Sequence, residues 1–350
     1  MPEGLAAGIG RAIERAIELG AGVRGTTSPN PPVGAVVLGS DGEVVGEGAT
    51  QPAGSDHAEV VALRAAGEAA AGSTVVVTLE PCNHTGRTGP CAQALIDAQV
   101  ARVIYLHADP SGAAGGAEAL RQHGIEVEKQ DVPAALRTRD AVVPWLTAVH
   151  LGRPHVTVKF AQTLDGYTAA ADGTSQWITG TAAREYAHRD RAHRDAIVVG
   201  TGTALADNPS LTARRADGSL YEHQPRRVVI GKRDLRAAGP ASTNLRELGY
   251  TQYGDLEEAM EEMYDDGVRD VLVEGGAGLA SALFYGGYVD AINAYISPML
   301  LGEGLGILAH PLADTLADAP RFHHLGTRQL GEDVLVEYVT SDAALESMKL

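Results

Sequence analysis

Short runs of β-branched and aliphatic residues alternate with helix-length amphipathic stretches in both halves of the chain, and this alternation limits the fold more than any single residue does. In the first half the apolar runs are Gly34 to Leu38, Thr74 to Leu79 and Arg102 to His107, with helical patterns at Ala58 to Ala70 and Cys91 to Ala98. A βαβ order of this kind predicts a layered α/β domain around a mostly buried sheet. A further helical stretch, Val132 to Val149, runs out toward Gly152-Arg153-Pro154, where glycine and proline punctuate the chain. Beyond it come predicted strands at His155 to Ala161, Ala196 to Gly200, Arg226 to Gly231, Val271 to Glu274, Ala291 to Ser297 and Asp333 to Val339. Helices are predicted at Thr181 to Arg194 and Leu256 to Asp266. A chain of 350 residues exceeds what one ordinary core supports. Two α/β domains are therefore expected, 1–150 and 151–350.

Several classes are excluded early. Hydrophobic residues at 44% and charged residues at 21% are ordinary for a globular protein, which argues against disorder and coiled coil. Residues 1–20 carry charges throughout and lack the apolar centre of a secretory signal; they read as an amphipathic helix with Ile9, Ile13 and Ile17 on one face. No run of 18 apolar residues offers a membrane span, so a cytoplasmic protein is expected. A formal charge of −17 repels a phosphate backbone, which makes a small molecule the expected partner and not a nucleic acid.

The chemistry begins with the two cysteines, Cys82 and Cys91, too few for a disulfide framework. Cys82 follows an apolar strand through Glu80-Pro81, and His57-Ala58-Glu59 opens a helix upstream. One imidazole and two thiolates are three zinc ligands, leaving the fourth tetrahedral position for water, whose pKa a zinc ion lowers to about 7. Glu59 stands where a proton carrier is needed, between the hydrolytic water, a ring nitrogen and departing ammonia. His-x-Glu followed by Pro-Cys and a second Cys is the signature of zinc nucleobase deaminases, here with eight residues between the cysteines. Any one of these residues alone would read as a capping histidine or a buried thiol; the set points to zinc hydrolysis. A structural zinc would want a fourth protein ligand, for which His84 is the nearby candidate, and would not need Glu59.

The segments Pro29-Asn30-Pro31-Pro32-Val33-Gly34, His57-Ala58-Glu59 and Thr78 through Cys91 resemble the deaminase half of the bifunctional deaminase/reductase family of riboflavin biosynthesis, within the cytidine-deaminase-like fold. The resemblance implies zinc on His57, Cys82 and Cys91, proton transfer by Glu59, and Asn30 holding the pyrimidine or its ribose. It also implies a diaminopyrimidinone ribosylamine 5′-phosphate as substrate, hydrolysed at its 2-amino position. His84 and Arg87, in the long loop between the cysteines, are either substrate readers or members of a solvated loop.

In the second half, Lys159 to Gly166, Ser175 to Gly180, Gly200 to Arg214, and a strand running into Gly275-Gly276-Ala277-Gly278-Leu279 resemble the reductase half of the same family, a dihydrofolate-reductase-like α/β fold. A strand that ends in glycines at a helix start can cradle a phosphate, but the order is not that of a Rossmann fingerprint, and taken singly the run reads equally as a helix entry or tight turn. The resemblance implies NADPH on Ala161, Trp177, Thr203, Asp207 and the run Gly276, Ala277, Gly278, Leu279, Ala280 and Ser281. It implies the sugar phosphate on Ser175, Arg191, Leu211, Arg214 and Glu274, with Lys159 close by, and a homo-oligomer built through this half. Arg191 and Arg214 suit a phosphate because guanidinium pairs with it bidentately.

Three features depart from the family pattern: Tyr167 after Asp-Gly, Ala277-Gly278 after Gly-Gly, and a segment Asp234 to Asp255 that looks too short for a strand commonly found there. The departures leave an alternative open, a deaminase with an inactive or altered reductase-like domain. Lys232 and Arg233, directly after a strand, are either a 2′-phosphate site or surface charge. Two rivals stand outside the family: a deaminase of nucleic acid or free nucleosides, and a zinc-stabilised binding module without catalysis.

Overall fold

The structure is a computed structural model that describes residues 3–84, 89–237 and 239–340. Two compact units part between Gly152 and Arg153. Unit 1 contains α1 (Glu3–Val23), β1 (Gly34–Leu38), β2 (Val44–Ala49), α2 (Ala58–Ala66), β3 (Thr74–Leu79) and α3 (Cys91–Asp97). It continues through β4 (Arg102–His107), α4 (Gly116–Gln122), β5 (Glu126–Lys129) and α5 (Val142–Leu151). The sheet order is β2-β1-β3-β4-β5, with β1 antiparallel to β2 and β3, and β3, β4 and β5 parallel.

Both faces of this sheet are covered at its centre, which is why β1, β3 and β4 read as unbroken apolar runs. Ala35, Val37, Val75, Val77, Val103 and Tyr105 face one core, with Ala58, Ala62, Leu95 and Trp145. Their alternates Val36, Leu38, Val76, Ile104 and Leu106 face the other, against Ile9, Ile13 and Ile17 of α1. The amphipathic reading of the first twenty residues holds for a helix buried along that stripe. The helix predicted over Val132 to Val149 is broken: a 3₁₀ turn covers Ala134–Arg139, and α5 starts only at Val142. The cause is Asp140, whose Oδ1 accepts from the Val142 N–H at 3.2 Å while Oδ2 binds buried His107 at 2.6 Å.

Unit 2 runs through β6 (His155–Thr163), β7 (Ala169–Ala170), α6 (Thr181–Arg191), β8 (Ala196–Gly200), α7 (Thr201–Asp207) and β9 (Arg226–Ile230). Next come α8 (Thr243–Leu248), β10 (Thr251–Tyr253), α9 (Leu256–Asp265), β11 (Asp270–Glu274) and α10 (Ala277–Tyr285). The last elements are β12 (Ala291–Ser297), β13 (Gly304–Leu305), β14 (Phe322–Leu330) and β15 (Asp333–Thr340). An eight-stranded sheet has the order β10-β9-β8-β11-β6-β12-β15-β14; all neighbours from β10 to β12 are parallel, and β15 and β14 close it antiparallel. In an open parallel sheet the ligand crevice lies at the carboxyl ends of the strands. Here those ends are Lys159 to Ala161 of β6, Val199 of β8 and Val273-Glu274 of β11.

The segment from Asp234 to Asp255 is long enough after all. It holds α8 and the edge strand β10, whose Thr251, Gln252 and Tyr253 pair in parallel with Val228, Val229 and Ile230. Helix α6 stops at Arg191, three residues earlier than predicted, because buried Arg194 turns back to Asp190, Thr157 and Asp270. Strand β14 carries no apolar alternation to announce it: His323, His324 and Gln329 are exposed on an edge that bulges between His324 and Gly326.

Candidate active sites

In unit 1 three elements converge on one point. His57 is the extended residue that precedes α2, Cys82 follows β3 after Glu80-Pro81, and Cys91 is the first residue of α3. His57 Nδ1 lies 3.2 Å from Cys91 Sγ and 3.5 Å from Cys82 Sγ, and the three ligand atoms are within 4.8 Å of one another. A tetrahedral zinc bonded at about 2.3 Å to sulfur and 2.0 Å to nitrogen needs nitrogen–sulfur edges of about 3.5 Å. The donor set therefore fits zinc in both chemistry and spacing. Without a cation, the hydrogen bond from Cys91 holds the Cys82 thiol far below its ordinary range, and the same contact together with burial pushes Cys91 up. Two adjacent thiolates need a divalent charge between them.

Glu59 sits in the first turn of α2 at 4% exposure, and burial raises its carboxyl to about 7. It opens onto a cavity of about 180 Å³, shared with Asn30, His57, Cys82, Asp109, Ser111 and Trp145. The Asn30 turn is fixed by Trp145, whose Nε1 donates to the Pro29 carbonyl at 2.9 Å, and by Thr27, whose hydroxyl donates to the Asn30 carbonyl at 3.0 Å. Of the two loop residues, His84 is exposed and Arg87 lies outside the described residues.

Sequence reasoning missed the support beneath Cys82. The Glu80 carboxylate accepts backbone N–H groups from Ala117 at 3.1 Å, Gly115 at 3.3 Å and Asp109 at 3.4 Å, tying the loop over the cavity to the ligand strand. Gly116 packs so closely there that an added Cβ would stand 1.8 Å from the Pro81 carbonyl oxygen. Gly116→Ala is thus expected to displace Pro81-Cys82 and to lower zinc content and deamination together. Metal analysis of the purified variant checks this; one full equivalent of zinc would show that the loop yields instead.

In unit 2 a cleft of about 820 Å³ opens at the carboxyl ends of the parallel strands. It gathers Lys159, Ala161, Ser175, Trp177, Arg191, Thr203, Asp207, Leu211, Arg214, Glu274, Gly276, Ala277 and Ala280 from the expected set. Three others lie outside its lining. Leu279 packs into the sheet core, Ser281 Oγ accepts from the Ala309 N–H at 2.9 Å, and Gly278 is exposed elsewhere. The reason is helical periodicity: once α10 has begun, only residues three or four apart share the face toward the cleft. Leu211 contributes mainly backbone, since its side chain is 3% exposed in a core with Val199 and Leu235 and its φ is 49°.

The cleft suits a dinucleotide. Gly275 and Gly276 take φ of 82° and 84°, and a Cβ on Gly276 would fall 2.7 Å from Thr203 Oγ1. The backbone can therefore pass close to Thr203 just before α10, whose first N–H groups have no partner within the helix. Arg191 differs from expectation. Its Nε and Nη2 form a bidentate pair with Glu274 at 2.6 and 2.7 Å, and Nη1 donates to the Thr212 carbonyl, so its fork is already filled by a carboxylate. Burial would raise Glu274, yet Arg191 and Lys159 overcome it and hold the carboxyl at about 2. Burial likewise lowers Lys159, which lies over the Tyr295 ring at 5.4 Å. Nearby His188 is held down to about 4 by burial and by Arg191 and Arg214. His188 and Asn244 also line the cleft, and no motif marked them; Asn208, likewise on the lining, lies within the Gly200 to Arg214 segment.

A zinc site on a deaminase-type unit, followed by a nicotinamide cleft on a reductase-type α/β unit, defines the class: a two-domain aminohydrolase and oxidoreductase. Comparison with known proteins is specific. The cytidine and deoxycytidylate deaminase zinc-binding region matches residues 10–107, and the RibD C-terminal domain matches residues 154–336. The riboflavin biosynthesis protein RibD of Corynebacterium ammoniagenes is 60% identical over 310 residues, covering 88% of this chain and 91% of its own. Acinetobacter baumannii RibD superposes with a TM-score of 0.79 at 36% identity, over 95% of this chain and 99% of its own. A Thermotoga maritima structure described as a diaminohydroxyphosphoribosylaminopyrimidine deaminase/5-amino-6-(5-phosphoribosylamino)uracil reductase gives 0.81 at 30% identity, over 95% and 99%. The chain belongs to the RibD family of riboflavin biosynthesis proteins. It is a bifunctional deaminase and reductase, with a cytidine-deaminase-like unit, a dihydrofolate-reductase-like unit, and Zn²⁺ and NADPH as cofactors.

Proposed function

We propose that unit 1 hydrolyses the 2-amino group of 2,5-diamino-6-ribosylamino-4(3H)-pyrimidinone 5′-phosphate and that unit 2 then reduces the ribosyl side chain to ribityl with NADPH. The observation that carries the first half is Glu59 buried in one small cavity with Asn30, His57 and Cys82, the last two of which lie within 4.8 Å of Cys91 Sγ as a three-donor cluster. His57 Nδ1, Cys82 Sγ and Cys91 Sγ hold the ion, which when bound supplies Lewis-acid activation of the hydrolytic water. Glu59 takes a proton from that water and delivers protons to the ring nitrogen and the leaving ammonia. Asn30, at the cavity mouth, positions the pyrimidine or its ribose.

In unit 2, NADPH when bound supplies the hydride that reduces C1′. Ala161, Trp177, Thr203, Asp207, Gly276, Ala277 and Ala280, which line the cleft together, would hold the dinucleotide. Lys159, Arg191 and Glu274 form the charged wall next to the reacting sugar. Ser175, the Leu211 backbone and Arg214 take the 5′-phosphate; Arg214 is exposed at the rim, whereas Arg191 is occupied. Among the described residues no helix is long and apolar enough to cross a membrane. The same reading places the enzyme in the cytoplasm, where its thiolate ligands stay reduced, as a homo-oligomer.

An anaerobic incubation of zinc-loaded protein with this substrate, following ammonia and NADPH absorbance together, tests the reading. Ammonia release followed by NADPH oxidation is expected. Ammonia alone would favour the altered-reductase alternative, and neither signal would overturn the substrate assignment.

A further inference from the structure

NADPH differs from NADH by one phosphate, on the adenosine 2′-oxygen, so discrimination needs a cation that no protein carboxylate already neutralises. Several arginines around the unit 2 sheet are committed to carboxylates: Arg191 to Glu274, Arg194 to Asp190 and Asp270, and Arg153 to Asp290. Arg184 stacks on Trp177 at 4.6 Å and donates to the Thr179 carbonyl. Arg214 stands beside His188 at the substrate charges.

Arg233 is placed differently. It lies three residues past the carboxyl end of β9, is exposed, and has no carboxylate within ion-pair distance among the described residues. Its Nε donates to Thr201 Oγ1 at 3.3 Å, and its Nη2 lies so close to Gly202 that an added Cβ there would approach to 2.8 Å. Gly202 lines the cleft and precedes Thr203, the residue against which the Gly275-Gly276 cradle packs. The missing side chain at 202 is therefore what lets the guanidinium rest on the first turn of α7 at the cleft rim, next to the backbone suited to the pyrophosphate. Neighbouring Lys232 runs instead toward Gly254.

We propose that Arg233 sets the preference of unit 2 for NADPH by pairing with the 2′-phosphate, and that Lys232 does not. The inference rests on the cofactor reading of the cleft given above. Calorimetric titration of the full chain with NADPH, NADH and 2′,5′-ADP tests it. Arg233→Ala is expected to weaken NADPH and 2′,5′-ADP by about ten- to a hundredfold, the size of one charge-assisted contact, and to leave NADH unchanged. Lys232→Ala is expected to change none of the three. Equal weakening of NADPH and NADH by Arg233→Ala, or no weakening of either, would overturn the proposal. Failure of the unaltered protein to bind either dinucleotide would instead overturn the cofactor reading itself.

Discussion

Glu59→Gln is expected to lose deamination by about 10²- to 10⁴-fold, the span that a positioned proton carrier contributes, while it keeps one equivalent of zinc. Gln retains the shape and hydrogen-bonding reach of the side chain but cannot cycle a proton. His57 just before α2, Cys82 in the loop after β3 and Cys91 at the start of α3 make up the cluster, which therefore has no need of residue 59. Ammonia release and metal content, measured on one preparation, check both halves of the expectation. A variant that loses zinc along with activity would show that Glu59 supports the ligands and is not a proton carrier. Reduction of the already deaminated substrate should proceed as in the unaltered protein, because the unit 2 cleft contains none of these groups.

The second large effect belongs to Glu274. Its side chain, 11% exposed, is the carboxylate that pairs with the Arg191 fork, and Lys159 adds a second cation beside it. Glu274→Gln leaves those cations without their counter-charge and is expected to destabilise unit 2 by about 3–5 kcal/mol, the cost of breaking a buried pair from one side. Reduction should be lost, and deamination retained wherever unit 1 stays folded. The pH dependence follows from the same group. Because the folded carboxyl is held at about 2 against an ordinary 4.5, its contribution is present above pH 4.5 and disappears as the pH falls from there toward 2. Thermal unfolding of unit 2 across that window should steepen with acid in the unaltered protein and flatten in the variant. Parallel slopes would show that Glu274 does not govern acid stability.

How far each feature could be read from the chain depends on the range of the interaction that makes it. The central strands β1, β3, β4, β8 and β11 were legible because both of their faces are buried, so composition alone marks them. The edge strands β2, β5 and β14 were not, since half of each meets solvent and no apolar pattern survives. Strand β10 was expected to be absent for want of length; three residues suffice where β9 already offers a parallel edge. His57, Cys82 and Cys91 stood out in the sequence because they are rare side chains in a fixed order that zinc chemistry requires, and the fold brings their ligand atoms within 4.8 Å of one another.

By itself, then, the sequence determined two α/β units, a deaminase of the zinc-binding class joined to a reductase, and the family to which both halves belong. Tertiary structure decided what each reductase residue has available to offer. It filled the Arg191 fork with Glu274, turned Leu279 and Ser281 away from the cleft, and set Arg233 over Gly202 at the rim. Those outcomes depend on which charges and which helical faces meet across elements up to 83 residues apart, and no local pattern encodes that meeting.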